Sequence, residues 1–112
     1  MDARLISRIL QFSQPLDIKQ VQTGQEALNV ILREQPHLII LDLMIPDKNG
    51  FQILEELRAD QALNAIPVIV ITSKDLSEAE TDVLISNGVT AMWQKGKLDR
   101  HKLLAQVEAE LT

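Results

Sequence analysis

Two stretches of the chain are almost wholly apolar, Leu38–Leu43 and Pro67–Thr72. Continuous apolar runs of this length are typical of strands that are covered on both faces of a parallel sheet. Between and around them, apolar residues recur three and four positions apart, which indicates amphipathic helices. The alternation of these strand-like runs with amphipathic helical segments predicts an α/β fold with a parallel sheet at its centre.

Capping residues mark where several helices begin and end. Thr23–Glu26 and Ser77–Glu80 both have the spacing of a capping box, in which the two side chains bond each other's backbone N–H groups. Pro36 ends the first of these helices, and Asn87-Gly88 ends the second. The predicted strands are Ile18–Thr23, Leu38–Leu43, Pro67–Thr72 and Thr90–Gln94, and the predicted helices are Ala3–Gln11, Phe51–Arg58, the two opened by capping boxes, and a last one capped by Asp99.

Length and composition restrict the classes of protein to consider. The 112 residues predict a single domain over 1–112, with no linker or repeat. The chain has no cysteine, no apolar run long enough to span a bilayer and no leader, so we expect a cytoplasmic protein. A formal net charge of -5 argues against direct contact with nucleic acid, since that contact depends on Lys and Arg.

Asp42 is the strongest candidate for chemistry. It ends an apolar strand, and Pro46 with Asn49-Gly50 predicts a tight loop directly after it. Ligands of open parallel sheets bind outside the carboxyl ends of the strands, which is where this carboxylate is expected. The plainer alternative is a strand-end aspartate that caps its own loop.

The same residues resemble the receiver domains of two-component response regulators. Asp42 is followed by I-P-x-x-x-G, Thr72-Ser73 ends the next apolar strand, and Lys95 follows N-G-V-T-A-M-W-Q. The resemblance implies a flavodoxin-like three-layer parallel sheet and a signalling module rather than an enzyme. By position, it implies that Asp42 is the phosphoacceptor, that the Thr72 hydroxyl bonds the phosphoryl oxygen, and that Lys95 is the accompanying cation. It also implies Mg²⁺, a sensor histidine kinase or phosphotransfer protein as donor, and a downstream effector protein.

One departure from the family concerns the metal site. Receiver domains begin with a central strand that ends in an acidic pair of Mg²⁺ ligands, whereas Met1 falls where that strand should already have ended. We therefore expect an N-terminally truncated sheet without its first central strand. Of the usual protein ligands, the Asp42 carboxylate and the backbone carbonyl of Met44 remain, so Mg²⁺ binding is expected to be poor. Asp2 would be either a substitute ligand or a helix N-cap.

Other positions are expected to have structural roles. Gly96 stands where the family commonly has proline, so the bend there should come from the conformational freedom of glycine. Met92 stands where many members have a switching aromatic residue, and Trp93 should face the other side of the sheet, in core or interface packing. The remaining candidates are expected to be surface or turn residues: His37, His101, Asp47, Lys48 and Asn49.

A missing central strand would leave two unpaired strand edges. We expect a homodimer to cover them, or else a rearranged sheet with the Ile18–Thr23 strand beside Leu38–Leu43. Three functions stay open at this point. The chain is a phosphorylatable response regulator, a phosphorylation-independent pseudo-receiver that binds partners through its last strand and helix, or a truncated version of a complete receiver.

Overall fold

The computed structural model describes residues 19–44, 47, 49–73, 75–97 and 99–111. The strands are β1 (Ile39–Asp42), β2 (Val68–Thr72) and β3 (Ala91–Gln94), and the helices are α1 (Gly24–Glu34), α2 (Gly50–Ala59), α3 (Glu78–Ser86) and α4 (Arg100–Leu111). A short 3₁₀ turn, Lys95–Lys97, joins β3 to the segment before α4. No helix in these ranges has the length and apolarity needed to cross a bilayer.

The three strands form one parallel sheet in the order β1-β2-β3. Asp42 is the register partner of Ile71, which in turn is the register partner of Trp93. Because the strands are parallel, their carboxyl ends meet at one edge of the sheet and their amino ends at the other.

Alternating side chains of the sheet build two separate cores. Val68 and Val70 of β2 point to one face, and Ile69 and Ile71 point to the other. The first core includes buried residues of α1, α2 and α3, and the second includes Leu103 and Val107 of α4. The predicted α/β fold with a parallel sheet between two helical layers is confirmed.

The caps predicted for α3 are present, and the capping box predicted for α1 is present in part. Ser77 and Glu80 form a complete capping box at the start of α3, and the helix ends at Asn87 with Gly88 at φ +70°. At α1 the Thr23 side chain accepts the N–H of Glu26, but the Glu26 carboxylate accepts the N–H of Gln22 rather than that of Thr23. The Thr23 box is therefore only half formed.

The predicted strand Ile18–Thr23 is wrong over its described part. Residues 19–23 contain no strand, and the chain bends at Gln22 and Thr23 before α1 begins. Lys19 and Gln20 are exposed, and this polar sequence cannot fill a position buried on both faces. The rearranged sheet with this segment beside β1 is therefore absent from the described residues. Ile18 and the predicted helix Ala3–Gln11 lie outside them.

The bend after β3 does not need the special freedom of glycine, contrary to expectation. Gly96 lies within the 3₁₀ turn and is not among the described residues with positive φ. A Cβ built on Gly96 would meet no atom within 4 Å. A 3₁₀ turn uses backbone angles that any residue adopts, so the turn itself makes the bend.

Arg58, at the end of α2, holds together two loops at the amino edge of the sheet. Its guanidinium donates to the carbonyl oxygens of Asn87 (2.6 Å), Ile66 (2.9 Å), Asn64 (3.1 Å) and Gly88 (3.4 Å). Burial lowers the pKa of Arg58, the direction expected when a cation is partly removed from water. The segments leading into β2 and β3 are thus fixed by one side chain.

We expect Arg58→Lys to lower the free energy of unfolding by about 1–3 kcal/mol, because a lysine ammonium cannot reproduce the planar fork that reaches these carbonyls. Urea denaturation measures the change. Arg33→Lys is the matched control, since the Arg33 side chain is 67% exposed and pairs only with the adjacent Glu34 among the described residues. The control should change stability by less than about 0.5 kcal/mol, and equal denaturation midpoints for the two variants would contradict the structural role of Arg58.

Candidate functional site

Asp42 lies at the carboxyl edge of the sheet with both carboxylate oxygens engaged. Oδ1 accepts the backbone N–H of Met44 at 2.9 Å, and Oδ2 lies 2.6 Å from Nζ of Lys95. The side chains of Asp42 and Lys95 are 27% and 29% exposed, so this ion pair is partly shielded from water. The carboxylate both caps its own loop and contacts the lysine that follows β3.

Lys95 reaches Asp42 because the sheet brings together residues 53 positions apart. It follows Gln94, the last residue of β3, and begins the 3₁₀ turn. β2 lies between β1 and β3, so the Lys95 side chain crosses the carboxyl end of β2. An ammonium at this point supplies positive charge directly beside the candidate nucleophile.

Thr72 lies at the same edge, at the end of β2. It directly follows Ile71, the register partner of Asp42, and it is only 1% exposed. Its own register partner is Gln94, the residue before Lys95. Beyond Thr72, the Gln94 amide donates to the Asp75 carboxylate and ties the loop after β2 to the end of β3.

The start of α2 packs against the backbone beside Asp42. Gly50 donates its N–H to the carbonyl of Leu43 at 3.1 Å. A Cβ on Gly50 would lie 2.6 Å from the Leu43 Cα and 3.2 Å from the Asp42 carbonyl oxygen, so this approach requires glycine. Asn49 caps the helix and forms a full capping box with Gln52.

Asp47, which was expected to be a turn residue, also forms hydrogen bonds with a distant part of the chain. Its carboxylate accepts the N–H of Gly24 at 2.7 Å and the N–H of Gln25 at 3.2 Å, at the start of α1. No local pattern indicates this contact, because its partners lie 23 and 22 residues earlier in the chain. The role of Asn49 could have been found, since N-x-x-Q has capping-box spacing.

The residues around the end of β3 divide between the two cores as expected. Met92 packs against the core formed with α1, α2 and α3, whereas Trp93 packs against the core formed with α4. His37 and His101 are exposed. Trp93 is therefore a packing residue on the face opposite Met92.

The metal donors among the described residues are few. Mg²⁺ takes six oxygen ligands, and proteins usually supply one or two carboxylates while water supplies several of the rest. Here the Asp42 carboxylate and the Met44 carbonyl are the predicted donors, and no group of three His, Cys, Asp or Glu side chains suited to a metal occurs in the described ranges. Asp2 lies outside them. These residues do not by themselves complete a Mg²⁺ site.

The sequence profile of the response regulator receiver domain matches residues 2–108. The chain belongs to this family. Receiver domains are signalling modules, and the flavodoxin-like architecture implied by the sequence agrees with a CheY-like receiver structure from Methanospirillum hungatei at a TM-score of 0.84.

Two curated proteins that are similar to this chain differ from each other in length. PilH of Pseudomonas aeruginosa is 30% identical over 93 residues, which cover 83% of this chain and 68% of PilH. Ycf27 of Porphyridium aerugineum, named as a transcriptional regulator, is 34% identical over 84 residues, which cover 71% of this chain. The match spans only 34% of ycf27.

Two solved structures bear on the chemistry of the edge. The phosphorylated cyanobacterial phytochrome response regulator RcpA is 29% identical, with a TM-score of 0.77 over 95% of this chain and 80% of RcpA. The response regulator Rcp1, solved with Mn²⁺ bound, is 25% identical, with a TM-score of 0.70 over 96% of this chain and 85% of Rcp1. Receiver domains of this fold have thus been observed with a phosphoryl group and with a divalent cation.

We expect Gly50→Ala to lower the free energy of unfolding by about 1–3 kcal/mol, because the added methyl group forces the start of α2 away from Leu43. Thermal or urea denaturation measures the loss. Gly96→Ala is the control, since its Cβ has open space and ordinary backbone angles. A Gly50→Ala protein as stable as the Gly96→Ala protein would show that the two backbones do not pack this closely.

Proposed function

We propose that this receiver domain accepts a phosphoryl group on Asp42 and signals the change to a protein partner. The observation that carries the proposal is the 2.6 Å contact between Asp42 and Lys95 at the carboxyl edge, with buried Thr72 on the strand between them. A sensor histidine kinase or phosphotransfer protein would be the donor, and an effector protein would read the result, in the cytoplasm. Membership of the family supports each of these partners.

Phosphoryl transfer to Asp42 forms one bond to phosphorus and breaks another. A carboxylate oxygen of Asp42 attacks phosphorus, the bond from phosphorus to the donor's histidine nitrogen breaks, and the nitrogen leaves with the electron pair. The product is an acyl phosphate. Catalysis of such transfers consists mostly of positioning and electrostatic stabilisation, because negative charge spreads over the phosphoryl oxygens. Lys95 already touches the carboxylate and can shift its hydrogen bond to one of these oxygens.

The phosphoryl group would then be read through Thr72. It adds negative charge and strong acceptor oxygens beside the end of β2, and a threonine hydroxyl can donate to such an oxygen. Thr72 begins the segment that leads to Asp75, whose carboxylate accepts the Gln94 amide. A displacement of this segment is thereby passed to the end of β3 and to Lys95, and so changes the surface that a partner meets.

We expect Asp42 to accept phosphate from phosphoramidate, but at least about tenfold more slowly than PilH under the same conditions. Among the described residues the predicted Mg²⁺ donors are the Asp42 carboxylate and the Met44 carbonyl, and loss of even an indirect metal contact weakens metal sites by about 10–100-fold. Mass spectrometry of the intact protein in the presence of Mg²⁺ measures the adduct. Adduct formation as rapid as in PilH would contradict the slow transfer.

Two variants control this experiment. Asp42→Asn removes the nucleophile with little change in shape and should abolish the adduct. Lys95→Ala should still acquire some adduct but lose the change in Trp93 fluorescence that accompanies it, since the cation links the phosphoryl oxygens to the turn before α4. An adduct that survives Asp42→Asn would place the acceptor elsewhere and overturn the proposal.

A second candidate function is binding without phosphorylation, as a pseudo-receiver. The observation that favours it is the side of α3 that carries Ile85, whose side chain is 60% exposed. Burying an aliphatic side chain as exposed as this one against a partner would stabilise an association. We propose a second copy of the chain as the occupant of this surface.

We expect light scattering over a dilution series to show a homodimer that dissociates at low concentration. Ile85→Glu should give a monomer throughout, because it places a charge in the apolar contact. Leu32→Glu on α1 is the matched control, since Leu32 is similarly exposed at 54% on another element, and it should leave the dimer intact. A wild-type protein that is monomeric at every concentration rules out the homodimer.

A further inference from the structure

Asp47 connects two parts of the molecule that are distant in sequence. Its Oδ1 accepts the N–H of Gly24 and its Oδ2 accepts the N–H of Gln25, so both oxygens are used and the carboxylate is fixed in orientation. These N–H groups belong to the first turn of α1 and have no partners within the helix. Thr23 caps the next N–H, that of Glu26. The start of α1 is therefore capped jointly by Thr23 and by a residue from another loop.

The physical chemistry of this contact is favourable on two counts. A carboxylate bonded to two N–H groups forms charge-assisted hydrogen bonds, which are stronger than neutral ones. It also lies at the positive end of the α1 dipole. Asp47 itself has a positive φ of 67°, a conformation that aspartate tolerates better than most residues.

The loop that Asp47 anchors is the one that follows the phosphoacceptor. The hydrogen bonds already described for Leu43, Met44 and Asn49 join partners within residues 42–52. Asp47, in contrast, links this loop to α1. Met44 in the same loop donates its N–H to Asp42 Oδ1, so the position of the loop affects the orientation of the carboxylate.

We propose that Asp47 is a positioning residue for phosphorylation at Asp42. By capping α1 it holds the loop in the place where Met44 N–H orients Asp42 Oδ1 and leaves Oδ2 to Lys95. This role rests on the proposed function of Asp42 as phosphoacceptor.

Two substitutions separate the carboxylate from the backbone conformation. Asp47→Gly keeps the positive φ without strain but removes both hydrogen bonds. Asp47→Asn keeps the shape and one acceptor oxygen, so it should retain part of the contact. Asn is therefore the rescue variant, and Gly is the loss variant.

The controls remove comparable hydrogen bonds elsewhere. Asp60→Ala removes a carboxylate that accepts the Ala62 N–H at 2.8 Å beyond the end of α2, at the amino edge of the sheet. Thr23→Ala removes the local cap of α1 but leaves Asp47 in place. Asp60→Ala therefore tests for a general loss of stability and Thr23→Ala tests for fraying of α1. Neither substitution should displace the loop.

Two readouts test the proposal: the NMR amide resonances of Gly24, Gln25 and Met44 without phosphate, and the labelling rate of Asp42 with phosphoramidate. In Asp47→Gly, all three resonances should shift and labelling should slow about tenfold or more, since small misplacements of reacting groups have effects of this size. Asp47→Asn should label within about threefold of wild type. Asp60→Ala and Thr23→Ala should leave the Met44 resonance in place and label within about twofold.

Three results would overturn the proposal in distinguishable ways. If Asp47→Gly is labelled at the wild-type rate and its Met44 resonance does not shift, Asp47 acts only as a helix cap. Equal slowing in Asp60→Ala or Thr23→Ala would attribute the effect to stability or to fraying of α1. A wild-type chain that acquires no phosphoryl group at Asp42 would overturn the proposed function, and the Met44 resonance would then decide whether Asp47 positions the loop.

Discussion

The register of the three parallel strands is the constraint on which the rest of the molecule depends. It aligns Asp42, Ile71 and Trp93 across the sheet and so places the ends of β1, β2 and β3 at one edge. A shift of β3 by one residue would exchange the faces of Met92 and Trp93 and bury the wrong side chains. The two apolar cores therefore fix the register, and the register brings Lys95 within 2.6 Å of Asp42.

Arg58 and Lys95 lie at opposite edges of the sheet and interact with it in different ways. At the amino edge, Arg58 donates to four backbone carbonyls and so links the loop before β2 to the loop before β3. At the carboxyl edge, Lys95 pairs with the Asp42 carboxylate and is still partly exposed. The carbonyls match the planar fork of the guanidinium, whereas the ammonium paired with Asp42 can change partners when new anionic oxygens arrive. Arg58 therefore suits a structural role at the amino edge, and Lys95 suits the proposed chemistry at the carboxyl edge.

Sequence patterns predicted the parts of this fold that local physics determines. The apolar runs predicted β1 and β2 to within one residue at each end, and the Ser77–Glu80 capping box and Asn87-Gly88 located the two ends of α3. Asp42 followed from its place after an apolar run, whereas Thr72 and Lys95 came from resemblance to a family. The strand predicted at Ile18–Thr23 was wrong over its described part because the polar residues there are exposed and do not pack in a buried sheet. The contact of Asp47 with α1 had no signal in the sequence, since a hydrogen bond across 23 residues exists only once the fold has formed.

The carbonyl contacts of Arg58 also have a consequence for the kinetics of folding. Asn87 and Gly88 lie 29 and 30 residues after Arg58, so these hydrogen bonds require α2, β2 and α3 to be in place. Interactions that form after the transition state change the unfolding rate and leave the folding rate nearly untouched. We infer from this separation that Arg58 mainly slows unfolding, so that the lifetime of the native state depends on it more than the rate of folding does.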